Sequence, residues 1–166
     1  SLTANGAVTL GGTNFTGGGS FNTSGTTTLN GSPSFNGAVT WNNSGTVDIG
    51  GGDRILMYNG AVLNNLAGGI INDTTTAASP LEGNGTPSTF VNTGNFNKNA
   101  GSAATQSFSI NAFANSGSFN VNAGSFQLTS GGTDTGTYTI GAGPTLAVTA
   151  GTRSFNGTGF AGSGAL

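Results

Sequence analysis

The sequence predicts an all-β fold, a single-stranded parallel β-helix (β-solenoid) of about seven to eight coils of 19–26 residues, and three recurrences carry that prediction. A phrase of Asn, Ser or Thr, Gly and alternating apolar residues keeps returning: SFNTSGTTTL from Ser20, WNNSGTVDI from Trp41 and AFANSGSFNV from Ala112. Aligned on the Gly of that phrase, Gly6, Gly25, Gly45, Gly68, Gly94, Gly117, Gly136 and Gly159 succeed one another at steps of 19 to 26 residues, the signature of a stacked repeat. Four places before these Gly stand Phe21, Trp41, Phe90, Phe113 and Phe155, an apolar core stack in register with the turns.

The elements follow in order around each repeat. Two and four places after the Gly come Val8 and Leu10, Thr27 and Leu29, Val47 and Ile49, Phe119 and Val121, and Tyr138 and Ile140. That is the period-two alternation of a strand with one apolar face. A further element follows a second turn: Gly11-Gly12 leads to Phe15, Gly50-Gly51-Gly52 to Ile55, Gly124 to Phe126 and Leu128, and Gly143-Pro144 to Leu146 and Val148. Each repeat therefore reads as short strand, Gly turn, short strand, turn. Such strands cannot individually offset an ordering entropy of about 1–2 kcal/mol per residue, so they need neighbours above and below. Winding the chain places equivalent positions of successive coils about 4.8 Å apart, so that backbone hydrogen bonds run between coils and like side chains stack. Seven steps then make a rod roughly 34 Å long. Asn-Gly at Asn30, Asn36 and Asn59 is also a hairpin signal, which leaves an antiparallel sandwich as the competing arrangement. A sandwich, however, does not require one slot to be apolar every twenty residues.

The turn Gly serves a corner that demands either a positive φ or an approach too close for a Cβ. Asn and Ser/Thr beside it can bond the local backbone of the same corner. Repeats four and five depart from the pattern. Gly68 lacks an aromatic four places earlier, with Val62 and Leu63 near that place, and Lys98 takes an inward slot after Phe96. Between Ile71 and Phe90 the run NDTTTAASPLEGNGTPST holds Asp73, Pro80, Glu82 and Pro87, and residues 72–89 are expected to protrude as a loop. The rest of 1–166 reads as one solenoid segment.

Composition excludes several classes of function. Three Lys and Arg against five Asp and Glu, a net charge of −2, cannot neutralise a run of phosphates, so no nucleic-acid partner is expected. No apolar run approaches the roughly 18 residues of a membrane span. The absence of Cys removes a disulfide framework and thiolate metal sites, and the absence of His removes the usual general base. Leu, Ile, Val and Phe fill only 34 positions while Gly fills 32, a composition at the edge of disorder that by itself leaves open a disordered linker or a fold of turns and thin strands, and the pattern chooses between them.

Candidate chemistry is correspondingly thin. Asp48 falls at an outward position in a row with Thr9, Thr28, Asn97, Asn120 and Thr139, so no carboxylate pair forms down the stack for glycoside cleavage. GGGDR at Gly50–Arg54 resembles a single calcium-binding nonapeptide turn, but a calcium roll needs that motif in tandem, and no metal or cofactor is assigned. Seven Asn-x-Ser/Thr triplets, at Asn14, Asn22, Asn30, Asn42, Asn72, Asn84 and Asn156, are too near the chance number to indicate glycosylation. Only Thr26/Thr28 and Thr137/Thr139 form outward Thr-x-Thr pairs, a poor basis for an ordered ice-matching face.

The phrase [Asn/Thr]-[Ser/Thr]-Gly-x-φ-x-[Val/Ile/Leu], followed by a Gly turn and φ-x-φ (φ here an apolar residue), resembles the degenerate repeats of filamentous-haemagglutinin-like adhesins and autotransporter passengers. The resemblance spans nearly the whole chain and is weakest from Asn59 to Ser88. It implies a right-handed β-helix exported to the bacterial surface, and it carries over no functional residue. The expected function is a non-enzymatic structural stalk or fibre, extracellular, whose partners are adjoining coils of the same protein or further copies of it. The alternative is a solenoid scaffold that binds glycan or ice, through the 72–89 segment or an Asn/Thr face.

Overall fold

The structure, a computed structural model, describes residues 1–84 and 87–166. The first coil carries β1 (Leu2–Ala4), β2 (Val8–Leu10) and β3 (Asn14–Thr16), and the second β4 (Gly19–Thr23), β5 (Thr26–Leu29) and β6 (Ser34–Asn36). The third carries β7 (Val39–Asn43), β8 (Thr46–Ile49) and β9 (Ile55–Tyr58), and the fourth β10 (Val62–Asn65), β11 (Ile70–Asp73) and β12 (Leu81–Asn84). β13 (Thr89–Asn92), β14 (Asn95–Lys98) and β15 (Thr105–Ser107) make the fifth, and β16 (Ala112–Asn115), β17 (Ser118–Val121) and β18 (Ser125–Leu128) the sixth. β19 (Gly132–Asp134), β20 (Thr137–Ile140) and β21 (Thr145–Val148) complete the seventh, above which lie β22 (Arg153–Phe155) and β23 (Gly159–Gly162). The chain is thus a parallel β-solenoid of about seven turns, all β, with no helix among the described residues.

Each coil turns three faces rather than two. The first face stacks β1, β4, β7, β10, β13, β16, β19 and β22, and the second stacks β2, β5, β8, β11, β14, β17, β20 and β23. The third is split into a sheet of β3, β6, β9 and β12 and another of β15, β18 and β21. Pairing is parallel and in register, which piles like side chains into columns. On the second face Val8, Thr27, Val47, Ile71, Phe96, Phe119, Tyr138 and Phe160 form one column. Phe96 and Phe119 stack there at 4.8 Å between centroids. On the first face the column runs Leu2, Phe21, Trp41, Leu63, Phe90 and Phe113. Leu63 fills the place that lacks an aromatic in repeat four. These inward side chains form one continuous buried core.

Four expected positions are corrected by the register. Phe155 does not join the stack: it pairs with Asp134, Arg153 takes the slot in line with Gly132 and Phe113, and Phe155 is 38% exposed. Gly68 is replaced in the corner column by Gly69, because Ile71 pairs with Val47 and Phe96. Gly68 itself has a φ of 86° and turns a longer corner. In the last coil Phe160 lies over Tyr138 and Gly159 pairs with Thr137, so Thr158 rather than Gly159 holds the corner. Residues 72–89, expected as a protruding loop, belong largely to the coil. Leu81 is fully buried and pairs with Ile55, and Thr75 and Ser88 are fully buried too, while residues 85 and 86 of that stretch lie outside the described ones.

Candidate functional site

The predicted turn residues come together as a column at the corner between the first and second faces. Gly25, Gly45, Gly69, Gly94, Gly117 and Gly136 lie one above another, and none has a positive φ. A Cβ on any of them would come well inside 3.0 Å of backbone atoms of the coil beneath. The requirement is therefore close approach rather than left-handed geometry. Hydrogen bonds enforce the approach: the Thr46 N–H donates to the Gly25 carbonyl at 3.1 Å, and those of Ser118 and Thr137 to Gly94 and Gly117 at 2.8 Å. Gly6 belongs to the first coil, and a Cβ there would meet nothing within 4 Å.

Beside that column runs an inward ladder of carboxamides that the sequence reading assigned to turns. Thr23 Oγ1 donates to Asn43 Oδ1 at 3.1 Å, Asn43 Nδ2 to Asn65 Oδ1 at 2.9 Å, Asn65 Nδ2 to Asn92 Oδ1 and Asn92 Nδ2 to Asn115 Oδ1, both at 2.8 Å. All four Asn are fully buried. Their Nδ2 groups also reach corner carbonyls, such as Asn92 to Ser118 at 3.0 Å, so the ladder staples one face to the next. The signal was in the phrase itself: Asn43, Asn92 and Asn115 each stand two places before the Gly and two after the core aromatic, which makes them inward by strand alternation.

The ladder ends on a charge. Asp134 occupies the next rung, accepting the Asn115 N–H at 3.0 Å, and Arg153 Nη2 meets its carboxylate at 2.6 Å. Both side chains are within 1% of complete burial. The guanidinium also donates to the carbonyls of Ser130 and Phe113 at 2.9 and 3.1 Å and lies 5.1 Å from the Phe113 ring centroid. Burial, and then the neighbouring Asp134 charge, push the Tyr138 phenol well above its ordinary value.

A second buried cluster sits on the second face, where Asp73 pairs in register with Lys98. Lys98 Nζ donates to Ser102 Oγ and the Ala103 carbonyl, each at 2.7 Å, and burial pulls its ammonium below the ordinary value despite Asp73. Asp73 Oδ1 accepts the Thr75 N–H at 3.0 Å, while Oδ2 has no partner. Burial pushes the Asp73 carboxyl up to about 6, against the opposing effects of the Thr75 N–H, Lys98 and Gln106. The Gln106 Oε1 beside it is likewise unpartnered.

On the surface, Asp48 sits in the expected outward row and accepts from Asn72 at 2.9 Å; Asn97 and Asn120 continue that ladder. Arg54 and Glu82 pair with each other on the third face. Among the described residues no three of His, Cys, Asp and Glu gather as a metal site, and no helix is long and apolar enough to cross a membrane. Compared with known proteins, the chain matches no family model, no curated protein and no solved structure.

Proposed function

We propose that the chain is a non-enzymatic structural protein, a rigid β-solenoid segment in the stalk or fibre of an extracellular bacterial adhesin or surface filament. Its partners in this reading are adjoining coils of the same protein, linked to it or supplied by another copy. The columns carry the argument, because parallel in-register pairing repeats through about seven turns and a further coil would continue it. β1, β2, β22 and β23 are each paired on one side only, leaving rows of N–H and C=O groups open to a further strand. Of the exposed large apolar side chains, Leu2 lies in the first coil and Val148, Phe155, Phe160 and Leu166 in the last two, with Leu66 the exception at a corner. Leu2 also lines an apolar groove with Phe15, Phe21 and Val39. One more coil at either end would cover this surface and extend every column.

Sedimentation and negative-stain microscopy of the purified chain test the reading. Rods that lengthen with concentration at constant width are expected, and Phe160→Lys should shorten them. Dispersed monomers at every concentration would overturn end-to-end stacking.

A further inference from the structure

Away from the end coils, the third face bears a surface groove of about 310 Å³ lined by Asn36, Tyr58, Asn59 and Asn84. It arises from the alternation of β9. Ile55 and Met57 point into the core, so Leu56 and Tyr58 point out. Register then places Asn36 on the coil below Tyr58 and Asn84 on the coil above. One aromatic side chain is thus bracketed by carboxamides along the stack.

The polar groups are only partly used by the protein. Asn59 Nδ2 donates to Asn36 Oδ1 at 2.8 Å, which fixes both amides. The Asn59 oxygen, the Asn36 amino group and the Tyr58 hydroxyl keep their hydrogen-bonding capacity, with no side-chain partner among the described residues. The backbone at the groove is also unusual. Among the described residues Ala38 and Asn59 are the two non-Gly positions with positive φ, at 51° and 53°, and the Ala38 N–H donates to the Asn59 carbonyl at 3.0 Å. A chain holds such conformations where its surroundings over-determine them, and they gather at ligand clamps. β12 is the last named strand of its sheet, and its pairing passes to the next coil through a single parallel bridge from Glu82 to Ser109.

Charge narrows the ligand. Asp73, Lys98, Asp134 and Arg153 are buried or nearly so, and Arg54 and Glu82 neutralise each other. The four lining residues are uncharged, so among the described residues nothing in the groove carries a charge to recognise an anion or a cation. A phenol ring flanked by amide donors and acceptors suits a molecule with one C–H face and a rim of hydroxyls.

We propose that Tyr58, Asn36, Asn59 and Asn84 form a binding site for a neutral saccharide, with one pyranose ring over Tyr58 and its hydroxyls bonded to the three carboxamides. The site depends on the coil register alone and stands whether or not coils assemble end to end.

The test is an array of neutral and acidic oligosaccharides probed with the whole chain, followed by saturation-transfer NMR on the neutral sugars it retains. Weak binding of neutral sugars is expected. Tyr58→Ala should weaken it by about tenfold or more, while Tyr58→Phe keeps most of it because the ring is retained. Asn36→Ala should weaken it by several-fold with an unchanged melting temperature, and Asn97→Ala, on the second face, should leave it intact. Retention of no neutral sugar, retention of acidic sugars alone, or binding indifferent to both Tyr58→Ala and Asn36→Ala would overturn the proposal.

Discussion

Asp134 and Arg153 meet inside the first face with the guanidinium against both carboxylate oxygens, whereas Asp73 and Lys98, neighbours in register on the second face, each bond elsewhere. The difference comes from the columns that hold them. Asp134 continues a polar ladder, taking the rung after Asn115, and its partner enters beside Gly132, where a Cβ would collide with the Phe113 carbonyl. That gap lets the guanidinium reach the Phe113 carbonyl and the Asp134 carboxylate together. Asp73 and Lys98 instead interrupt an aliphatic column, with Ile49 below and Val121 above. No polar chain runs through it to complete the bonding of the carboxylate. Being adjacent in a stack does not by itself make an ion pair; the polarity of the rungs around it decides.

The sharpest way to break this contrast is Arg153→Ala. It strands a buried carboxylate that keeps only the Asn115 N–H, and removing one partner of a buried pair costs about 3–5 kcal/mol. Urea unfolding with hydrogen exchange on the last coils should show the loss concentrated there, since each coil touches only its neighbours. The double variant Asp134→Leu with Arg153→Met should recover most of it. A loss below about 1 kcal/mol for Arg153→Ala would mean that the two pairs are not differently built.

Asp73 gives the next largest effect, through pH. Its folded value, about 6, lies above the ordinary 3.8, so between these limits the folded state holds a proton that the unfolded chain releases. The group's contribution is fully present below pH 3.8 and is lost as pH rises through about 6. Asp73→Asn cannot titrate, and its Nδ2 can donate to the orphaned Gln106 Oε1. Between pH 4 and 7.5 the stability of Asp73→Asn relative to the natural chain should rise by about 2.5 kcal/mol, read from urea midpoints at each pH. A flat difference would show that the carboxyl is adequately bonded after all.

The solenoid, its Gly corner and the inward place of Lys98 were legible in the sequence, because coil spacing and strand alternation leave periodic traces. What escaped was fine register. Residues 153 and 155 both alternate inward, so periodicity alone could not tell that Arg153 continues the aromatic column and Phe155 the Asn column. In repeat four the Gly68-Gly69 doublet offered two origins, and the corner from Leu66, closed by the Gly69 N–H on the Leu66 carbonyl at 2.8 Å, selects the second. Residues 74–80 read as a loop because they are rich in Thr and hold Pro80, yet Thr75 faces inward and its hydroxyl donates to the Asp53 carbonyl at 2.6 Å. The ladder of Asn shows in the sequence as spacing, but spacing does not separate it from turn chemistry, since the same residue serves both.

Lys98→Met should have the smallest effect and sharpens the comparison most. Met fills a similar volume among aliphatic neighbours and removes the cost of burying an ammonium. It forfeits the bonds to Ser102 and Ala103, although Ser102 keeps its own bond to the Asn99 carbonyl at 2.7 Å. These terms oppose each other, and the net change should stay within about 1 kcal/mol, against several for Arg153→Ala. The second readout separates a quiet substitution from an uncoupled one. Lys98 lowers the Asp73 value, so deleting its charge should move the Asp73 transition to higher pH even where stability hardly changes. If stability and transition both stay put, the two groups share a column without sensing each other; if stability falls by several kcal/mol, Lys98 is as deeply committed to its partners as Arg153, and column polarity is not what distinguishes the two sites.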